Sequence, residues 1–193
     1  MKKKTLLIVS MLVLVMFALT ACGGKSPKNV VEDNLKQIKT EKTSSNVSKL
    51  FNDKTLEQKY GKEYNKFIKK VQDFDYEVKD EKVDGKKATV KVEIKTYDFG
   101  AAYKTTYDTV VSDAKSGKIT ATTDVKDYVY NLMFQNLNNV KDKSYKKTVT
   151  INCTKNDKGE WTTDINSNVD FLDAMMGGMF TAIKSVQAGQ AAQ

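Results

Sequence analysis

The sequence predicts an α+β domain: a four-stranded antiparallel sheet made of two hairpins, with helices on one face. A helical insertion separates the hairpins and a helix follows the last strand. Three observations carry this. The apolar period drops from helical spacing to two at Phe74 and again at Tyr145. A turn signal sits inside each alternating stretch, at Asp84-Gly85 and at 156–159. Finally, two hairpins with one apolar face each are unstable alone, so they pair into one sheet that helices cover.

The chain begins with Lys2-Lys3-Lys4, an apolar run from Leu6 to Leu19 and a small-residue exit. These are the parts of a secretory signal. The run is about 14 residues, short of the ~20 that a helix needs to cross the hydrocarbon core. Leu19-Thr20-Ala21-Cys22 closes it and resembles the lipobox of bacterial lipoproteins. That resemblance implies cleavage between Ala21 and Cys22, a diacylglycerol of palmitate-type chains on Cys22, and anchorage to the extracytoplasmic face of the cell membrane. Two acyl chains hold a protein stably, at about 0.8 kcal/mol per buried methylene. Residues 1–21 are therefore read as signal peptide, 22–26 as lipidated tether, 27–187 as one domain and 188–193 as a flexible tail.

Composition narrows the chemistry. Of 193 residues, 32 are basic and 24 acidic, giving a formal net charge of +8. Every basic residue is lysine; arginine and histidine are absent. This removes bidentate arginine clamps, histidine triads and histidine-bearing zinc sites. The lysines alternate with acids along most segments, unlike the gathered patch of a nucleic-acid binder, so no nucleic-acid partner is expected. With Cys22 acylated, Cys153 has no partner for a disulfide. No cofactor or metal motif is present. A lysine-heavy, cysteine-poor exported chain resembles those of low-GC Gram-positive bacteria.

The elements follow in order. Ser26 and Pro27 suit the N-cap and first position of a helix carrying Val30, Val31, Asn34, Leu35 and Ile38. A polar break leads to a short helical turn with Val47, Leu50 and Phe51. A second helix bears Leu56, Tyr60, Tyr64, Phe67, Ile68 and Val71 on one stripe. In the first hairpin Phe74, Tyr76 and Val78 face Ala88, Val90, Val92 and Ile94. Gly100 then breaks the pattern before a helix from Ala101 to Ala114 with Tyr103, Tyr107, Val110 and Val111 inward. Thr123 is the expected cap of the next helix, whose stripe is Val125, Tyr128, Val129, Leu132, Met133 and Leu137; Tyr130 falls off that stripe. In the second hairpin Tyr145, Val149, Ile151, Cys153, Trp161, Thr163 and Ile165 point inward. Lys147 shares that side, with its amine expected in water. Ser167 with Asp170 suggests a capping box for a last helix running from Phe171 to Val186 through Gly177-Gly178. There either another backbone packs closely or the helix bends.

This order of elements resembles the small Gram-positive lipoproteins whose domain is similar to the nuclear transport factor 2-like, cone-shaped α+β fold. The resemblance rests on the paired N-terminal helices, the Phe74–Ile94 hairpin and the Tyr145–Ile165 hairpin with Trp161. The insertion at 101–139 and the final helix depart from it. It implies a small-ligand cavity between helix and curved sheet. Tyr103, Tyr107, Tyr128 and Trp161 are the candidate pocket or partner-surface residues, with ordinary packing as the competing reading. Cys153 reads as an inert core thiol, since no histidine exists to activate it. The expected function is a non-enzymatic envelope lipoprotein binding a protein partner or small ligand. Its rivals are an envelope enzyme using Asp, Glu, Lys or Tyr in a cone-shaped pocket, and a structural or chaperone-like protein presenting the methionines of the last helix.

Overall fold

The computed structural model describes residues 24–40 and 54–191. Ala21, Cys22 and the turn expected at Val47, Leu50 and Phe51 lie outside the described residues. The order is α1 (Pro27–Thr40), α2 (Lys54–Gln72), β1 (Asp75–Asp84), β2 (Lys87–Thr96), α3 (Phe99–Lys115), α4 (Val125–Asn139), β3 (Tyr145–Lys155), β4 (Trp161–Thr163), α5 (Val169–Met175) and α6 (Met179–Ala191). The strands form one antiparallel sheet in the order β1-β2-β3-β4. The two hairpins join along β2 and β3, from Lys87 opposite Thr154 to Thr96 opposite Tyr145. The fold is therefore the α+β architecture that the periodicity predicts.

Alternation decides the faces of this sheet. Ala88, Val90, Val92 and Ile94 of β2 and Val149, Ile151 and Cys153 of β3 are buried. Lys91, Lys95, Lys146, Thr148 and Thr150, one position out of step, are exposed. In β1 the register shifts between Val78 and Glu81, a bulge of the kind common on edge strands.

Two helices cover the inner face. α1 buries Val31, Leu35 and Ile38, and the Asn34 amide donates to the Thr163 hydroxyl at 2.7 Å. Its start matches expectation: the Ser26 hydroxyl accepts from the Asn29 N–H at 3.2 Å and Pro27 is the first helical residue. α5 covers the rest, packing on β2 and β3 with Phe171, Leu172, Ala174 and Met175 buried. α2 packs mainly on α4, where the Tyr64 ring meets Phe134 edge-on at 6.2 Å. It leaves helical geometry at Tyr60, whose φ is −119°.

Several boundaries differ from the sequence reading, each for a local reason. The last helix does not run through Gly177-Gly178; φ of 54° and 75° there ends α5 and turns the chain into α6. α6 itself extends to Ala191. Asn168, not Ser167, caps α5 by accepting from the Phe171 N–H at 3.0 Å, while the Ser167 hydroxyl donates to the Asp164 carbonyl. Asp124, not Thr123, caps α4. Asp98 caps α3 through the Ala101 N–H at 2.8 Å, so the helix starts at Phe99 and contains Gly100. The buried face of α3 is Phe99, Ala102, Thr106 and Asp113, with Tyr103, Tyr107, Val110 and Val111 half-buried beside it and Ala114 exposed.

Candidate functional site

The candidate residues do not converge. Tyr103 and Tyr107 are half-buried along α3. Tyr128, on α4, donates its hydroxyl to the Asp113 carboxylate, which Lys118 also reaches at 2.6 Å. These bonds hold Asp113 below the usual carboxylate range and push the Tyr128 phenol up. Tyr130 is half-buried rather than exposed, its ring 5.6 Å from Tyr60. Trp161 stands apart on β4. It shares a shallow depression of about 400 Å³ with Gly24, Lys25, Val30, Glu160 and Thr162, and the Lys155 amine lies 5.4 Å from its ring centre.

The inner face of the sheet, where the cone-fold resemblance implies a cavity, is occupied by α5. All residues from 171 to 178 are buried. Met175 and Met176 are each 1 % exposed, so these two methionines close the core and are not a displayed face.

This segment carries a polar knot that periodicity did not reveal. Asp173, 4 % exposed, accepts from the Thr181 N–H at 3.1 Å and the Thr181 hydroxyl at 2.7 Å. It thereby satisfies an orphan donor in the first turn of α6. The Lys147 amine, expected in water, instead lies 3.4 Å from Asp173 and 3.5 Å from Asp170. Burial alone would raise the Asp173 carboxyl, but the Thr181 bonds and Lys147 outweigh it and leave it below its usual value. For Lys147, burial pulls down and Asp173 more than restores the charge, leaving its pKa raised. The sequence signal was present: Asp173 is the single acid in an apolar run from Phe171 to Phe180. Beside the knot, Asp98, Lys104, Tyr145, Gly177, Gly178 and Thr181 line a depression of about 260 Å³.

A second cluster lies at the start of β1. Lys143 bridges Asp73 at 2.9 Å and Asp75 at 3.1 Å, and the Tyr97 hydroxyl donates to Asp73 at 2.7 Å. Chemically these clusters share a trait. Asp73, Asp113 and Asp173 are held more acidic, and Lys118, Lys143 and Lys147 more basic, than free side chains. A general acid or base needs the opposite displacement, toward the working pH. Lys70 does move that way, chiefly through burial and then Lys66, yet its amine is bonded to the Val140 carbonyl. Burial pushes the Cys153 thiol up to about 11, which disfavours the thiolate that reacts. Among the described residues no three His, Cys, Asp or Glu side chains group to hold a metal ion.

No family model matches the chain, and no curated protein matches it. A solved structure that is similar in part is that of a candidate lipoprotein, ycdA, from Bacillus subtilis. It shares 15 % identity at a TM-score of 0.42, over 78 % of this chain and 47 % of that one. This chain thus spans about half the length of that protein.

Proposed function

We propose that this protein is an extracytoplasmic lipoprotein, acylated on Cys22, whose domain binds an envelope partner or ligand through its surface and not by catalysis. The observation that carries the reading is the N-terminal run itself: three lysines, a short apolar stretch, then Leu19-Thr20-Ala21-Cys22. Two structural facts support it. The fold begins at Pro27, immediately after the tether, and among the described residues no helix is long and apolar enough to cross a membrane. Surface binding is supported by the filled space under the sheet and by carboxylates and lysines locked into their charged forms. The finer likeness to the cone-shaped fold belongs to this reading as well, with α5 standing where a ligand would sit.

The test is acylation. Intact-mass measurement of the membrane-extracted protein should give a chain starting at Cys22 plus diacylglycerol. Cys22→Ser should lose the lipid mass and leave the detergent phase. A wild-type chain that retains Met1 and carries no lipid overturns the proposal.

A further inference from the structure

We infer that the end of the domain bearing the two hairpin turns is the face laid against the membrane, where its lysines and Trp161 engage the headgroups of anionic lipids. This rests on the reading of Cys22 as the anchor.

Three segments meet at that end. The depression around Trp161 includes Gly24 and Lys25, so the start of α1 lies beside β4. The two turns are joined by the Lys86–Asp157 ion pair at 3.0 Å and by the Lys155 N–H donating to the Lys86 carbonyl at 2.8 Å. α1 then crosses the sheet, and near its far end the Lys39 amine reaches the Phe74 carbonyl at the start of β1.

Chain length fixes which end is near the lipid. Cys22 and Pro27 are five positions apart, and at ~3.3–3.6 Å per residue that reaches no further than ~18 Å. A domain of this size is about 40 Å across. The tether is therefore shorter than the body it holds, and the end containing Pro27 stays within reach of the headgroups.

Charge agrees with that placement. Segments 24–28, 84–87 and 155–161 carry Lys25, Lys28, Lys86, Lys87, Lys155 and Lys158 against Asp84, Asp157 and Glu160. Lys25 pairs with Asp33 and Lys86 with Asp157. The other four lysines have no carboxylate partner among the described residues, so their charge is available to an outside anion. At the opposite end Lys143 is matched to Asp73 and Asp75 and Lys39 to Asp75, while Lys95 and Lys141 are exposed with no carboxylate partner among the described residues. Charge alone therefore does not choose the end; the tether length does. Trp161 is half-buried, with Lys25 lining the same depression and the Lys155 amine 5.4 Å from its ring centre, and its indole, apolar with one polar edge, suits the interfacial layer.

Trp161 is the single tryptophan of the chain, so its fluorescence reports this face alone. The acylated full-length protein is placed in phosphatidylcholine vesicles with or without phosphatidylglycerol, each containing lipid brominated near the headgroup. Flotation scores anchoring; quenching scores docking. Quenching is expected only with phosphatidylglycerol. It should vanish in 1 M salt, where the Debye length falls to ~3 Å. A variant combining Lys28→Gln, Lys87→Gln, Lys155→Gln and Lys158→Gln should drop to the level of neutral vesicles. A control combining Lys62→Gln, Lys66→Gln, Lys69→Gln and Lys104→Gln, all exposed on α2 and α3, should remain quenched. Protein that floats but is not quenched, or an equal loss in the control, overturns the docking face while leaving the anchor intact. Protein that does not float overturns both. A soluble poly(glycerol phosphate) that shifts Trp161 emission where phosphatidylglycerol does not quench it overturns the lipid assignment in favour of a wall polymer.

Discussion

Gly85 and Gly177 adopt nearly the same backbone conformation, with φ of 58° and 54°, in opposite surroundings. Gly85 turns β1 into β2 in open space: an added Cβ would meet nothing within 4 Å. Gly177 turns α5 into α6 against another backbone. Its Cβ would land on the Tyr97 carbonyl oxygen and 2.8 Å from the Phe99 nitrogen, while its own carbonyl accepts from the Gly100 N–H at 2.9 Å. Gly100 is hemmed in reciprocally, its own Cβ position 2.9 Å from the Gly178 carbonyl oxygen. The torsional cost of a side chain is about the same at both turns, ~1–2 kcal/mol. Contact with neighbouring backbone separates them. One glycine shapes a surface loop; the other locks the helix that fills the sheet.

Substitution should expose that difference in graded form. Gly177→Ala adds a backbone clash to the torsional cost, and a loss above ~4 kcal/mol is expected, read as failure to fold or collapse of the urea midpoint. A loss no larger than at Gly85 would remove the contrast. Next, Asp173→Ala strips the buried knot beside Gly177 and leaves Lys147 with only Asp170; about 3 kcal/mol is expected. This loss depends on pH in a defined sense. The folded carboxyl of Asp173 lies below its ordinary value of 3.8, so its contribution is complete above that value and disappears as pH falls through the folded one. The gap between wild type and variant in urea unfolding should therefore be wide at pH 7 and close at strongly acidic pH. A gap that does not change would mean that Asp173 acts by shape and not by charge. Gly85→Ala should be the mildest, about 1 kcal/mol, with an unchanged denaturant slope.

Much of the frame was legible because strand alternation and turn residues are local properties. Val90, Val92, Ile94, Val149 and Ile151 could face one way only, and Asp84-Gly85 could serve only as a turn. Caps were harder. Ser167 and Asn168, like Thr123 and Asp124, are adjacent residues of capping type, and the path of the incoming chain selects between them. The candidate residues lie apart in the fold: Tyr103, Tyr107 and Tyr128 are half-buried along α3 and α4, while Trp161 lies on β4 against the start of α1. Nothing in spacing along a chain reports that separation. Asp173 was visible only as an acid out of place, since its partners Lys147 and Thr181 come from β3 and α6.

The sequence by itself determined the α+β class and the pairing of strands within each hairpin, and it carries the N-terminal pattern on which the proposed anchor at Cys22 rests. Each of these depends on residues within a few positions of one another. The tertiary structure decided that α5 fills the underside of the sheet, that Gly177 must be glycine for reasons beyond its φ, and that Asp173 is buried in charged form. Those outcomes depend on which distant surfaces meet, and only the closed fold brings Tyr97, Gly100, Lys147 and Thr181 against one short helix and its turn.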